Sequence, residues 1–232
     1  LLTGNTLGFL SAGTTAFQLY IHGQMPSLVS NLKAEGYSGN KAMHPFNPYN
    51  YNRPAVYKDF GFTDFIDKFD FPKNVKRVRE YISDEANVDR IISEYEKNRK
   101  KTDQPFYMYN MTIQNHSPYD KDAANFKQPI KIESSKYDAE ANRYLNLIKY
   151  SDDSLKQLTG YFEKCKEPTI ILFLGDHQPR LTDEFMNKIT NGQYQTWSSE
   201  QMMKRYQVPF VIWANYDIKE QHIEKTSMNY IQ

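Results

Sequence analysis

Helical and extended patterns of hydrophobic residues alternate along this chain of 232 residues. Apolar side chains recur at helical spacing, and these patterns predict helices at residues 24–36, 53–60, 84–100 and 137–164. Shorter segments between them, most of them apolar, predict strands at residues 38–43, 105–111, 169–174 and 209–213. The alternation predicts an α/β fold with a central, mostly parallel sheet flanked by helices.

The same pattern also predicts how some elements pack. The run Thr169–Leu174 is apolar on both faces, which is typical of a central parallel strand. In the helix predicted over residues 137–164, the inward face should be formed by Tyr144, Leu145, Ile148, Leu155, Leu158 and Phe162.

Composition narrows the class of protein. Hydrophobic residues make up 39% of the chain and aromatic residues 15%, enough to fill a sizeable core. The net charge of +1 excludes the strongly basic surface that nucleic-acid binding requires, and the basic run at residues 73–79 is predicted to be solvated surface. Cys165 is the single cysteine, so no internal disulfide forms. No apolar stretch reaches the roughly 20 residues that cross a bilayer.

Three of the five histidines follow predicted strands: His44, His116 and His177. In open α/β sheets ligands bind beyond the carboxyl ends of the strands, so these positions are candidates for a site. After the strand at 169–174 come Asp176 and His177, which together suit a divalent ion of the Mn or Zn type. The residues alone also fit an ordinary strand-end turn with a capping Asp and an exposed His.

Two further loops carry polar side chains that suit an anion. His116 lies in a polar cluster after the strand at 105–111, as a phosphate- or hydroxyl-binding loop needs. His44 is followed by Tyr51 and Arg53, and arginine offers a planar fork of donors to phosphate or sulfate oxygens. Taken singly, each loop also fits a surface turn.

Several motifs in order resemble the lipoteichoic acid synthases, which are polyglycerol-phosphate transferases of the alkaline phosphatase and sulfatase superfamily. The segments that carry the resemblance are LTGNTLGFL at 2–10, MHP at 43–45, YNR at 51–53, VYKDFGF at 56–62, NHSPY at 115–119, YSDDSL at 150–155 and LFLGDHQP at 172–179. The resemblance runs from Leu2 to about Asn229. It implies a sulfatase-like and alkaline-phosphatase-like fold, in one catalytic domain over residues 1–232 that is incomplete at the N-terminus and at the C-terminus.

The resemblance also implies roles for individual residues. Asp176 and His177 match two metal ligands, for Mn or alternatively Mg or Zn. His44 and Arg53 match residues that hold the phosphate head group, and Tyr51 stands as an aromatic wall where many members have Trp. His116 matches a histidine that binds the transferred group or assists the leaving alkoxide. These side chains are expected to surround a single pocket.

The family's nucleophilic Thr and its metal-binding Glu match no residue of this chain, since both would precede Leu1. Thr3, Thr6, Thr14 and Thr15 do not match the nucleophile position. The chain as it stands is therefore expected to be inactive and to bind metal poorly.

For the whole protein, the resemblance implies metal-dependent transfer of glycerol phosphate at the outer face of a bacterial cell membrane. The donor would be an anionic glycerophospholipid, the acceptor an envelope polymer or glycolipid, and the protein membrane-anchored. Two alternatives stay open: a sulfatase or phosphodiesterase of the same superfamily, and a non-catalytic domain that binds anionic polymer. Cys165 lacks the Cys/Ser-x-Pro-x-Arg context of a sulfatase nucleophile.

Overall fold

The structure is a computed structural model that describes residues 1–11, 13–133, 137–190, 192 and 196–231. Its contacts divide the chain into two compact units. The first unit comprises Leu1–Val75, Asp89–Ile113 and Glu220–Gln232, and the second comprises Lys76–Val88 and Gln114–Lys219. Each unit is described by itself, and the single domain expected over residues 1–232 stays a prediction.

Seven α-helices are found in the described part of the chain. Their bounds are α1 Ala16–Leu19, α2 Leu28–Ala34, α3 Arg53–Asp59, α4 Asp84–Arg99, α5 Ala139–Phe162, α6 Asp183–Ile189 and α7 Ser199–Met203. Short 3-10 helices lie at Asn50–Asn52, Lys68–Asp70, Lys204–Tyr206 and Met228–Tyr230. None of the helices so described has both the length and the apolar character needed to span a bilayer.

The seven strands of the described residues form three small sheets. Their bounds are β1 Ser38–Met43, β2 Asp64–Ile66, β3 Arg77–Val78, β4 Tyr81–Ile82, β5 Phe106–Asn110, β6 Ile170–Leu174 and β7 Phe210–Ala214.

The first unit contains a three-stranded sheet in the order β2-β1-β5, and both strand pairs are parallel. Helix α2 packs against β1 and α3 packs against β2. A parallel sheet covered by helices confirms the predicted α/β class. Because the three strands run in the same direction, their carboxyl ends lie at one edge of the sheet.

Aromatic residues fill the core of the first unit. Tyr57, from α3, is at its centre and makes edge-to-face contacts with Phe17, Phe62 and Phe65 at ring-centroid distances of 6.4, 5.5 and 5.0 Å. Such contacts fix the ring orientations, so α3 is held firmly against the sheet. Arg53 begins that helix, and its backbone position is therefore set by the core.

Most predicted boundaries agree with the structure, but the helix predicted at 24–36 begins later, at Leu28. Ser27 caps it through a reciprocal pair of hydrogen bonds with Ser30, and Pro26 directly precedes the cap. Pro disfavours a helical conformation in the residue before it, so Met25 lies outside the helix. Helix α3 matches its prediction well, with Pro54 in its first turn and Gly61 after its end.

The prediction that residues 169–174 form a central parallel strand is wrong in orientation. The strand exists as β6, but it pairs antiparallel with β7 in a two-stranded sheet. Ile170 is 61% exposed and Phe173 is also exposed. An apolar run shows that its own side chains are hydrophobic, but it does not show the direction of the strand that pairs with it. That direction depends on the path of the chain between the two strands.

The inward face predicted for the long helix is also partly wrong. In α5, Leu145 is 38% exposed and Ile148 is exposed, whereas Asn142 and Asn146 are buried. The Asn146 side chain accepts a hydrogen bond from Ile130 N at 2.9 Å and donates one to Ile130 O at 2.9 Å. The Asn146 amide thus bonds Ile130 as a neighbouring strand would, although Ile130 lies in a segment without regular structure. Main-chain groups removed from water need such hydrogen bonds.

We expect Asn146→Ala to lower the free energy of unfolding by about 2 kcal/mol, because it leaves the partly buried N–H and C=O of Ile130 without these partners. Leu145→Ala, on the same helix, should cost less than about 1 kcal/mol because its side chain is already exposed. Urea denaturation monitored by circular dichroism measures both. A larger loss for Leu145→Ala would contradict the observed orientation of α5.

Candidate functional site

In the first unit, His44 follows β1 directly and is buried. Its backbone N–H donates to Ile66 O at 2.9 Å, and its Nδ1 lies 2.9 Å from Met111 O. A carbonyl oxygen only accepts, so in the neutral imidazole Nδ1 carries the proton and Nε2 is the acceptor. His44 therefore ties together the segments that follow all three parallel strands, at their carboxyl edge.

Arg53 and Tyr51 also lie in the first unit, and the structure brings these two together. Arg53 is only 7% exposed, and its Nη1 donates to Asn50 O at 3.1 Å. The centre of its guanidinium lies 4.9 Å from the centroid of the Tyr51 ring, a cation–π distance. Burial raises the pKa of the Tyr57 hydroxyl to about 12, and the nearby Arg53 charge opposes that rise.

The backbone at Tyr51 and Asn52 is strained. Their φ angles are 60° and 54°, in the left-handed region that residues other than glycine rarely adopt. Each such conformation costs on the order of 1 kcal/mol or more. This turn is what places the Tyr51 ring on the guanidinium at the start of α3, so strain is accepted where the two side chains meet.

In the second unit, His116 is exposed in the loop that follows the boundary at Ile113. Its Nδ1 lies 2.7 Å from Ser117 O, while the Tyr119 hydroxyl donates to Asn115 O at 2.8 Å. Arg79, which is 9% exposed, donates hydrogen bonds to main-chain carbonyl groups of the loop. The imidazole is thus presented on a loop whose backbone is anchored.

A buried polar network holds the same loop from another side. Asp84, at the start of α4, is 3% exposed. Its Oδ2 accepts from Ser151 Oγ at 2.6 Å, and Ser151 Oγ accepts from Asn115 Nδ2 at 2.8 Å. The backbone N–H of Asp84 donates to Gln114 Oε1 at 3.0 Å. Burial raises the pKa of Asp84 to about 6, and the hydrogen bond from Ser151 opposes that rise.

Asp176 and His177 follow β6 in the second unit, as the sequence predicted. Their side chains are both exposed, and Asp176 Oδ2 lies 3.6 Å from His177 Nε2. Gly175 precedes them at a close backbone approach, since a Cβ there would lie 3.2 Å from Val208 Cβ. The loop is fastened by Gln178, whose amide donates to Lys204 O and Gln207 O at 2.7 and 2.8 Å.

Asp176 and the loop of His116 are near each other. Burial raises the pKa of Tyr119 to about 12, and the negative charge of Asp176 acts in the same direction. The pKa of Tyr144, in α5, is raised by the same two causes. Within the second unit, the charge of Asp176 thus acts on Tyr119, which lies in the loop of His116. His44, Tyr51 and Arg53 lie in the first unit, and a single pocket for all six side chains stays a prediction.

The donor chemistry of Asp176 and His177, a carboxylate and an imidazole, fits a divalent ion of the Mn type. Within the described ranges there is no group of three or more His, Cys, Asp or Glu side chains that could hold a metal ion. The pair can therefore supply two ligands, which is fewer than the four that even a tetrahedral site uses.

Sequence reasoning missed Arg79, Asp84 and Ser151. Arg79 is the last residue of the basic run at 73–79, which was predicted to be solvated surface; the prediction is wrong for this residue because its guanidinium points into the second unit. Its partners lie 35 or more positions further along the chain, so no local pattern marks it. Asp84 shows only the ordinary preference of Asp for the first turn of a helix.

Comparison with known proteins agrees with the predicted fold and family. The protein-family model described as Sulfatase matches residues 8–231. A Rhizobium meliloti protein, named provisionally as a cyclic beta-1,2-glucan modification protein, is 33% identical over 222 residues. The lipoteichoic acid synthase of Staphylococcus aureus is 27% identical over 183 residues. The crystal structure of the lipoteichoic acid synthase LtaP from Listeria monocytogenes superposes with a TM-score of 0.70 at 24% identity, which confirms the predicted sulfatase-like fold.

These relatives are longer than the chain. The match covers 92% of the chain but 33% of the Rhizobium protein, and 75% of the chain but 26% of the S. aureus synthase. The Listeria structure matches over 91% of the chain and 50% of its own length. The chain thus spans about a third or less of the relatives compared by sequence.

We expect Asp84→Asn to change how stability depends on pH. The pKa of Asp84 rises from an ordinary 3.8 to about 6 in the folded protein, so folding favours the protonated form. The stabilisation is fully present below about pH 4 and is lost as the pH rises through about 6, a loss of about 3 kcal/mol. Asn stays neutral, so the variant should match the wild type at pH 4 and exceed it at pH 7. Equal urea midpoints at pH 7 would contradict this assignment.

Proposed function

This chain belongs to the Sulfatase family, and from that premise we propose that it serves a phosphotransferase that moves glycerol phosphate from a membrane phospholipid to a cell-envelope acceptor. The observation that carries the proposal is Arg53. This guanidinium is buried, it has no carboxylate ion pair among the described residues, and its neighbours are the Asn50 carbonyl, the Tyr51 ring and the Tyr57 hydroxyl. A buried charge is costly unless it is paired, so an anionic ligand such as a phosphate is its natural partner.

The first unit would bind the head group of the donor. Arg53 would offer N–H groups of its planar guanidinium to two phosphate oxygens, and the Tyr51 ring beside the guanidinium would restrict its rotation. His44, with Nδ1 occupied by Met111 O, would present Nε2 to a hydroxyl of the glycerol. Pre-positioned donors of this kind bind the charge that develops on the phosphoryl oxygens without having to reorganise.

The second unit would supply proton transfer and ligands for a metal. His116 is exposed on an anchored loop. Such a position suits a group that takes a proton from the acceptor hydroxyl or gives one to the leaving alkoxide. Asp176 and His177 would be two ligands of a divalent ion, Mn or alternatively Mg or Zn. When bound, such an ion lowers the pKa of an attacking hydroxyl. We assign the family's nucleophilic Thr to no residue of this chain.

The names of the relatives support the class of acceptor. The S. aureus relative is named as a lipoteichoic acid synthase, and the relative with 33% identity is named for modification of a glucan. We therefore propose a carbohydrate polymer of the envelope as the acceptor, with a glycolipid as the second choice. The corresponding location is the outer face of the cell membrane, where both the phospholipid donor and the polymer are found.

Arg53→Ala, made in the natural protein that carries this sequence, should lower kcat/KM roughly 100-fold or more, because one charge-stabilising donor is lost. The assay follows diacylglycerol release from fluorescent phosphatidylglycerol with added Mn and identifies the phosphorylated product by mass spectrometry. Lys58→Ala, on the exposed last turn of the same helix, is the matched control. Unchanged turnover in Arg53→Ala would refute the proposal, and glycerol phosphate appearing only in water would identify a hydrolase instead.

Removal of metal should abolish this turnover, and Asp176→Ala should raise the Mn concentration needed for half-maximal rate by about 10-fold or more. The physical reason is that loss of one of two proposed ligands weakens the ion's coordination. Dialysis against a chelator followed by Mn titration measures the effect in both proteins. Identical Mn titrations for wild type and Asp176→Ala would remove Asp176 from the metal site, and Asp120→Ala, an exposed carboxylate, is the control.

A further inference from the structure

Arg79 joins three carbonyl groups of the loop that carries His116. Its Nη1 donates to Pro118 O at 2.6 Å, and its Nη2 donates to Gln114 O at 2.6 Å and to His116 O at 2.8 Å. The carbonyls of alternate residues, 114, 116 and 118, thus turn toward one guanidinium. A single side chain thereby fixes the main chain on both sides of His116 and at His116 itself.

The chain accepts two unfavourable features to place this side chain. Arg79 has a φ of 55°, a left-handed conformation that favours glycine, in the two-residue turn between β3 and β4. Its charge is buried and makes no ion pair with a carboxylate in the part of the chain that the structure describes. The rings of Tyr81 and Tyr119, with centroids 5.3 and 5.7 Å from the guanidinium carbon, are its other neighbours. Strain and an unpaired charge at one residue point to a requirement beyond folding.

The turn that carries Arg79 is itself held to the rest of the unit. The Asn125 side chain accepts from Arg79 N at 3.1 Å and donates to Arg79 O at 3.0 Å and to Arg77 O at 3.1 Å. The backbone of Arg79 is therefore fixed independently of its guanidinium. The loop of His116 in turn is fixed to Arg79, while the imidazole remains exposed.

We propose that Arg79 is a positioning residue for the phosphoryl transfer: its guanidinium holds the backbone of residues 114–118 so that the His116 imidazole meets the reacting group in one orientation. This inference rests on the proposed function for its kinetic test. It depends on geometry rather than on charge alone. A planar guanidinium directs its N–H groups to three fixed acceptors, whereas a lysine ammonium carries the same charge on a flexible stem and cannot reproduce that fork.

The kinetic test compares Arg79→Lys and Arg79→Gln with the wild type in the natural protein that carries this sequence. Both variants should lower kcat by about 100-fold, the loss typical of a misplaced catalytic group, with KM for the phospholipid changed less than about 3-fold. Arg77→Lys is the matched control, since Arg77 is exposed on the same hairpin and its guanidinium donates to Glu80 O at 2.9 Å, away from the His116 loop. Full activity in Arg79→Lys would overturn the proposal, because charge alone would then suffice.

A double-mutant cycle tests whether Arg79 acts through His116. If it does, Arg79→Lys should lower kcat by less than about 3-fold in a His116→Ala background, because the group to be positioned is gone. Equal losses in both backgrounds would overturn the proposal and leave Arg79 a purely structural residue. Should the Arg79 variants fail to fold, as judged by circular dichroism, Asn125→Ala loosens the same turn without altering the guanidinium, and it should lower kcat in the same direction.

A measurement without turnover separates this inference from the proposed function. The imidazole signals of the five histidines can be assigned by single His→Gln substitutions in a sample with labelled histidine. Arg79→Lys should shift or broaden the His116 signal and leave His22 and His222 unchanged, whereas Arg77→Lys should leave all five unchanged. Absence of transferase activity with an altered His116 signal would refute the function and retain the positioning role. An unaltered His116 signal in folded Arg79→Lys would overturn the positioning role itself.

Discussion

The loops of this protein depend on one constraint: their main-chain N–H and C=O groups need hydrogen-bond partners that no neighbouring strand or helix provides. Buried N–H and C=O groups must find partners, and here side chains supply them. The Arg79 guanidinium donates to carbonyl groups of the His116 loop, and the His44 imidazole donates to Met111 O. The Asn146 amide donates to Ile130 O. Asn215 does the same after α5, where its amide donates to Phe162 O, Cys165 O and Glu167 O.

The two buried arginines illustrate how similar side chains serve different purposes. Arg79 uses its terminal nitrogens on three carbonyls of its own unit, so its function is internal. Arg53 has one carbonyl partner, the Tyr57 hydroxyl beside it and an exposed tyrosine ring against its face, and its remaining donors are the ones proposed to bind a ligand. Both sit in or beside strained turns, at Arg79 and at Tyr51 and Asn52. These three are the non-glycine residues with positive φ in the described part of the chain. The strained backbone therefore coincides with the residues of the proposed chemistry.

Charge is handled differently away from these loops. Glu94 is buried in the first unit, and burial alone would raise its pKa, but hydrogen bonds from Lys41 and Lys97 together with the charge of Arg90 hold the pKa at about 2. That carboxylate is fully compensated and has no capacity left for a ligand. Asp84, by contrast, has hydroxyl and amide partners and a raised pKa.

The α/β class, the location of four of the seven described helices and four of the seven described strands, and membership of the Sulfatase family could all be predicted from the sequence. Hydrophobic periodicity and the order of motifs are properties of the linear sequence, so they can be recognised before the structure is known. The sequence also placed His116, Asp176 and His177 correctly after strands or at the start of a loop. The antiparallel pairing of β6, the burial of Asn146 and the inward orientation of Arg79 became evident from the folded structure alone. These depend on partners far along the chain, such as Asp84 and Ser151 at a separation of 67 residues, and hydrophobic pattern holds no record of such contacts.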